Sequence, residues 1–274
     1  MPMARAIEQI ERELATLSQS VYAIAAELNS AYTSYLTALG LATRQQLILA
    51  SYQVCTQGHP KQFLSLSVSQ RQHLQQAIRK LGKNSAQQLL EQLKTDEMES
   101  RGTEETEETE GGGEEKLSAA VATRPTNPIE LLHWQHNLEE AIAHTLKTLS
   151  LEVNCLFQEA GILPQKLPSP LLEAATTASE TVAEIAVGPP NLMNLLIETE
   201  NPTDAEDSSM TQLFAIQLRL SEIEFADANV RSARNQIRQL EGKVHLLGRE
   251  YQKKQRERII AEAEAAWRSS WFED

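Results

Sequence analysis

Four side chains near the middle of the chain have the residue types and spacing of a metal site. His133, His136, Glu140 and His144 are separated by three, four and four positions, so on a helix they form one stripe. Imidazole and carboxylate groups arranged in this way could bind a transition metal and activate water. The apolar stripe of the same segment lies almost opposite, whereas metal ligands in a helical bundle project inward with the apolar residues. We therefore predict an exposed polar face, with a metal-dependent helical protein as the alternative.

The remaining reactive residue types do not form a known catalytic motif. The glycine cluster Gly111 to Gly113 lacks the lysine that follows in a phosphate-binding loop. Cys55 and Cys155 are too few for a disulfide framework, which favours a reducing, cytoplasmic location. We predict a protein that is not an enzyme and that uses neither a metal nor another cofactor.

A basic patch lies close to the C-terminus and consists of Arg249, Lys253, Lys254, Arg256 and Arg258. On a helix this patch could contact nucleic-acid phosphates or anionic lipid head groups. Acidic neighbours lie within helical pairing distance, and the aromatic side chains of a single-strand binder are missing, so a solvated surface is favoured. Nucleic-acid binding and peripheral membrane contact are kept as alternatives.

An aromatic cluster ends the chain. Trp267 and Trp271 are four positions apart and share a helix face, and Phe272 follows directly. Tryptophan side chains at a frayed terminus are costly in water, so they require burial. The cluster therefore either packs on the core of this protein or docks to a protein partner as an aromatic anchor.

Two helices with seven-residue apolar repeats are predicted to position these groups. The N-terminal repeat consists of Ile7, Ile10, Leu14, Leu17, Val21, Ile24 and Leu28. The C-terminal repeat, predicted to run from Leu213 to Tyr251, includes Val230, Ile237, Leu240, Val244, Leu247 and Tyr251. Alternating steps of three and four are typical of a coiled coil. β-Branched residues at one seam position and leucine at the other favour a parallel homodimer, and antiparallel pairing of the two seams within one chain is the alternative.

The residues between the two repeats are also predicted to be helical, apart from an acidic, disordered linker. The predicted fold is therefore all-α and consists of helical bundle segments joined by this linker. Residues 1–95 are predicted to hold the first coiled-coil helix, interrupted at Gly40, and a small domain of short helices ending at glycines. Residues 96–127 form the linker, because their run of Glu, Thr and Gly has no apolar side chains to bury. Residues 128–200 are predicted to form short helices, of which the first starts at Asn127-Pro128 and reaches Gly161 and another covers 192–198. Residues 211–274 are predicted to form one long helix. The net charge of −13 is concentrated in the middle of the chain, which disfavours general nucleic-acid affinity.

Three stretches together resemble one protein family. They are the segment from Tyr52 to Leu66, the segment from Gly188 to Glu200, and the closing segment from Ala261 to Asp274. On these residues the chain resembles uncharacterised cyanobacterial coiled-coil proteins. The resemblance implies a cyanobacterial cytoplasm and carries no functional residue, ligand or activity.

The function predicted from these features is a helical scaffold, adaptor or assembly factor. It would associate through its coiled coils, with a homodimer as one arrangement, and would present its C-terminal helix to a protein partner. No apolar run approaches the roughly 20 residues of a membrane-spanning helix.

Overall fold

The chain is almost entirely helical in a computed structural model that describes residues 2–99, 127–164, 189–199 and 209–270. The elements are α1 (Pro2–Gln53), a π-helix (Val54–Gly58), α2 (Pro60–Ser65), α3 (Val68–Glu99), α4 (Pro128–Glu159), β1 (Leu192–Thr199), β2 (Ser209–Ile216), α5 (Leu220–Ala226) and α6 (Ala228–Ser270). The all-α prediction is confirmed, with a two-stranded sheet as the exception within these ranges. None of the helices in the described ranges is long and apolar enough to cross a bilayer.

Two compact units share the four long helices, each of which contributes residues to both. Unit 1 consists of Met1–Ser34, Gln92–Glu139 and Ala233–Asp274, and unit 2 consists of Tyr35–Glu91 and Glu140–Ser232. This division differs from the predicted domains, because each unit combines segments that are distant in the sequence.

In unit 1, helices α1 and α6 run antiparallel to one another. Lys254 Nζ lies 2.7 Å from Glu13 Oε2, and Lys243 Nζ lies 3.9 Å from Glu27 Oε2. Glu13 precedes Glu27 along α1, whereas its partner Lys254 follows Lys243 along α6. The two helices therefore run in opposite directions. The core of this unit contains the buried residues Leu14, Val21, Leu28, Leu131, Leu138, Ile237, Leu240 and Val244.

In unit 2, α1 continues through Gly40 to Gln53, so the predicted interruption at this glycine is wrong. A Cβ atom added at Gly40 would lie 2.9 Å from the Cβ of Ala86 on α3. The glycine therefore permits close approach of two helices and does not end one. Gly82 has the same role, since an added Cβ would lie 3.3 Å from Leu47, and α3 runs through it as a single helix from Val68.

Residues 192–198, predicted to be a helix, form strand β1, and residues 213–216, predicted to begin the second coiled coil, lie in strand β2. The two strands pair antiparallel, with Leu192 opposite Ile216 and Thr199 opposite Ser209. Short apolar runs fit a helix and a buried strand equally well by periodicity, so long-range pairing decided between them. Asn154 on α4 holds the end of β2: its Nδ2 donates to Ile216 O at 2.8 Å, and its Oδ1 accepts from Ile216 N at 2.9 Å.

Capping side chains set the starts of α4 and α6. Asn127 Oδ1 accepts a hydrogen bond from Ile129 N at 2.9 Å, as the Asn-Pro pair predicts. Asp227 Oδ1 accepts from Asn229 N at 2.8 Å and from Val230 N at 3.1 Å.

The predicted segment boundaries change accordingly. The single helix predicted over 211–274 is instead β2, α5 and α6. Within 128–200, the helix predicted to start at Asn127-Pro128 is the 32-residue helix α4, the helix predicted over 192–198 is strand β1, and residues 165–188 lie outside the described residues. Residues 96–99 of the predicted linker are helical, and most of the rest of it lies outside the described residues.

Candidate functional site

The predicted coiled-coil seams face the interior of the single chain. Val21, Leu28, Ile237 and Val244 are at most 1% exposed in unit 1, and Val230 is fully buried in unit 2. The other seam residues in unit 1 are buried or half-buried, namely Ile7, Ile10, Leu14, Leu17, Ile24, Leu240, Leu247 and Tyr251. Their burial within one chain agrees with the antiparallel alternative.

A partly buried ion pair fixes α4 in unit 1. Arg234 on α6 donates two hydrogen bonds to the carboxylate of Glu139 on α4, one of them 2.7 Å long between Nη2 and Oε2. The hydroxyl of Tyr32 on α1 donates to Glu139 Oε1 at 2.6 Å. Burial acts to raise the pKa of Glu139, but the hydrogen bonds from Arg234 and Tyr32 outweigh it, so the pKa falls below its ordinary value. Through these hydrogen bonds the cluster joins three helices of unit 1, which are α1, α4 and α6.

The predicted basic patch divides into two sets. Lys254 faces α1 and pairs with Glu13 and also with Glu257, at 2.7 and 2.8 Å, while Arg258 Nε lies 3.2 Å from Glu262 Oε1. The second set is exposed and has no ion pair or hydrogen bond with the residues that the structure describes, and it comprises Arg249, Lys253 and Arg256. Only this second set is available to an external anion.

These three basic residues belong to a longer exposed stripe on α6, which we call the outer stripe. It consists of Leu246, Arg249, Lys253, Arg256, Ile260, Ala263 and Trp267, all exposed and separated by alternating steps of three and four. On a helix with 3.6 residues per turn they cover an arc of about 100°. The large apolar members are strongly exposed: Leu246 is 62%, Ile260 49% and Trp267 66% accessible. Glu264 lies at the edge of the stripe.

The C-terminal aromatic cluster is described at one of its three positions. Trp267 is 66% exposed, so its ring does not pack on the core of this chain. Trp271 and Phe272 lie outside the described residues.

The histidine stripe lies on α4 with all four side chains, His133, His136, Glu140 and His144, exposed. This is the outward orientation predicted from the opposite apolar stripe. Among the described residues, no group of three or more His, Cys, Asp or Glu side chains is arranged to hold a metal ion.

The residues of the outer stripe can be recognised in the sequence, but there they belong to two separate features. The basic patch and the aromatic cluster are distinct motifs, and Leu246 and Ile260 join them in one repeat. Lys254 continues the spacing of Val244, Leu247 and Tyr251 on the inner face of α6, whereas Lys253 lies about 100° around the helix. In comparisons with known proteins, no family model matches the chain, and no similar curated protein or solved structure was found.

Proposed function

We propose that the protein is a non-enzymatic helical adaptor that binds an acidic, α-helical partner protein along the outer stripe of α6. The observation that carries the proposal is the exposed three-and-four spacing of seven residues from Leu246 to Trp267. This spacing matches the way in which one helix packs along another. Because the inner seam of α6 is already covered by α1, the outer stripe offers a second face of the same helix to another helix.

The charge of the stripe favours an acidic partner. Arg249, Lys253 and Arg256 lie side by side in its middle and have no carboxylate partner among the described residues. Leu246 flanks them on one side, and Ile260 and Trp267 on the other, as apolar anchors. A helix with acidic side chains opposite the middle and apolar side chains opposite both ends would neutralise the charges and cover the exposed apolar surface.

The same layout disfavours the two alternative ligands. A helix that lies on a membrane surface has an apolar centre and basic flanks, whereas here the basic residues occupy the centre of the stripe. A single-strand nucleic-acid binder interleaves aromatic side chains with basic ones, and no aromatic residue lies between Arg249 and Arg256 on this face.

Binding to defined probes tests the proposal. The first probe is a synthetic four-heptad helical peptide with leucine at its seam and glutamate opposite the three basic positions, and the second has lysine in place of glutamate. We expect the full-length protein to bind the glutamate peptide and to reject the lysine peptide, with a change in tryptophan emission. The triple variant R249Q/K253Q/R256Q should bind about tenfold more weakly.

A charge-matched variant provides the control. K61Q/K80Q/K83Q removes three exposed basic residues from unit 2, and thus the same net charge, without touching α6. Its affinity for the glutamate peptide should equal that of the wild-type protein. Equal weakening by both triple variants, or no binding of the glutamate peptide, would refute docking along the outer stripe. Binding to anionic vesicles or to nucleic acid that depends on the same three residues would replace the adaptor with one of those two functions.

A further inference from the structure

A cavity of about 310 Å³ opens on unit 2 where α1, the π-helix, α2 and α3 meet. Its floor is apolar and buried: Cys55, Leu74 and Ile78 are 7%, 5% and 4% exposed. Its walls are more accessible, and Tyr52 is 61% exposed. The volume lies at the lower end of the roughly 300–1,000 Å³ that small-molecule sites span.

The polar groups around this cavity are unevenly distributed. The hydroxyls of Ser51 and Thr56 donate to backbone carbonyls of α1, at 2.7 Å in both cases, so their protons are already used. Arg79 lines the cavity from α3, is exposed, and has no ion pair with the described residues. It therefore supplies the one full charge among the lining residues.

The surrounding chain reinforces the positive charge. Between Tyr35 and Leu90 the sequence contains six basic residues, which are Arg44, Lys61, Arg71, Arg79, Lys80 and Lys83, and no acidic residue. All ten residues that line the cavity come from this stretch. A ligand with a negative group beside Arg79 therefore meets no carboxylate from the segments that form the cavity wall.

We infer that this cavity binds a small anionic amphiphile, a molecule with an apolar body and one carboxylate, sulfonate or phosphate group. The apolar body would lie against Leu74, Ile78 and the ring of Tyr52, which would cover surface that the fold leaves partly open. The anionic group would lie at Arg79 on the rim, where a guanidinium can hold two of its oxygens. The inference stands on unit 2 alone and does not depend on the docking role of α6.

The two cysteines allow a site-specific readout. Cys55 lies in the cavity floor, and burial raises the pKa of its thiol to about 11, so its reaction with a thiol reagent is slow. Cys155 on α4 is exposed and does not line the cavity. Decanoate, decanol and decylamine, which share a chain length and differ in charge, are suitable probes. Decanoate should slow the labelling of Cys55 and leave the labelling rate of Cys155 unchanged.

Adjacent residues on α3 provide matched pairs of variants. Arg79→Gln should weaken the protection of Cys55 by decanoate about fivefold and leave that by decanol unchanged, whereas Lys80→Gln should change neither. Gln75→Trp places a large ring in the cavity and should abolish protection. Gln76→Trp adds the same ring to the neighbouring exposed position outside the cavity and should preserve protection. All four positions are exposed, so the variants should fold, which far-ultraviolet circular dichroism checks.

Three outcomes would overturn the inference. The first is that decanoate does not protect Cys55 at concentrations below that at which it forms micelles. The second is that decylamine protects as well as decanoate, since this would exclude recognition of a negative group. The third is that Gln76→Trp abolishes protection as completely as Gln75→Trp, because the effect would then not arise in the cavity.

Discussion

Lys254 Nζ on α6 lies 2.7 Å from Glu13 Oε2 on α1, and this ion pair joins the two ends of the chain within unit 1. Lys254 lies on the face of α6 that α1 covers. The preceding residue, Lys253, lies about 100° around the helix and is exposed. The carboxylates of Glu13 and Glu257 raise the pKa of Lys254, so it stays charged throughout the physiological range. The contact therefore separates the inner seam of α6, which holds the fold together, from the outer stripe.

The buried seam leads to a prediction about stability and protein concentration. Ile237→Ala removes a side chain with no exposed surface and should lower the free energy of unfolding by about 3 kcal/mol in urea titrations. Leu246→Ala on the same helix removes a side chain that is 62% exposed and should change it by less than about 0.5 kcal/mol. Because α1 covers the seam within one chain, the unfolding midpoint should stay constant over about a hundredfold range of protein concentration. A midpoint that rises with concentration would instead indicate a seam shared by two copies.

The cluster around Glu139 predicts a second stability difference. Glu139→Gln removes the negative charge that Glu139 holds against the guanidinium of Arg234, whose side chain is 14% exposed. We expect a loss of about 2 kcal/mol, the scale of a hydrogen bond to a charged group. Glu8→Gln is the matched control, since the Glu8–Arg12 pair is 3.7 Å apart and exposed, and it should cost less than about 0.5 kcal/mol. Equal losses for the two variants would show that the Glu139 pair is no stronger than a surface pair.

The lowered pKa of Glu139 predicts how this contribution changes with pH. The carboxylate has a lower pKa in the folded protein than its ordinary value of 4.5, so the unfolded chain takes up the proton first as pH falls. The stabilisation is therefore fully present above about pH 4.5 and is lost as pH falls through the folded-state pKa. The measurement is the difference in unfolding free energy between the wild-type protein and Glu139→Gln across this range. A difference that stays constant or grows toward acidic pH would contradict the assigned pKa direction.

Two glycines should respond to alanine in opposite directions. A Cβ added at Gly58 would lie 2.9 Å from the Cβ of Phe214 on β2, so Gly58→Ala forces the π-helix and the strand apart. We expect this substitution to destabilise the protein by about 1–3 kcal/mol. Nothing lies within 4 Å of a Cβ added at Gly242, which is inside α6, so Gly242→Ala should stabilise it by up to about 1 kcal/mol. Thermal unfolding of the two variants checks both signs, and destabilisation by Gly242→Ala would mean that α6 needs a flexible point there.

The sequence by itself determined the helical character of the chain and the identity of most of the buried seam. Apolar side chains at alternating steps of three and four must share one helix face, so the spacing of Leu14, Val21, Ile237 and Val244 is enough to assign them to the interior. The outward orientation of the histidine stripe on α4 follows from the same geometry. Capping chemistry is equally local, which is why Asn127 and Pro128 mark the start of α4.

The tertiary structure alone decided which segments meet. Gly40 and Gly82 end helices by local rules, yet both lie inside helices. At each of them glycine leaves room for a neighbouring helix that would crowd an added Cβ atom. The segment from Leu192 to Thr199 is a strand because Ser209–Ile216 pairs with it, a contact that local periodicity does not contain. The pairing of Lys254 with Glu13 likewise depends on which helix meets α6. Each of these outcomes depends on contacts between residues far apart in the sequence, and such contacts can reverse the weak local preference of a short segment.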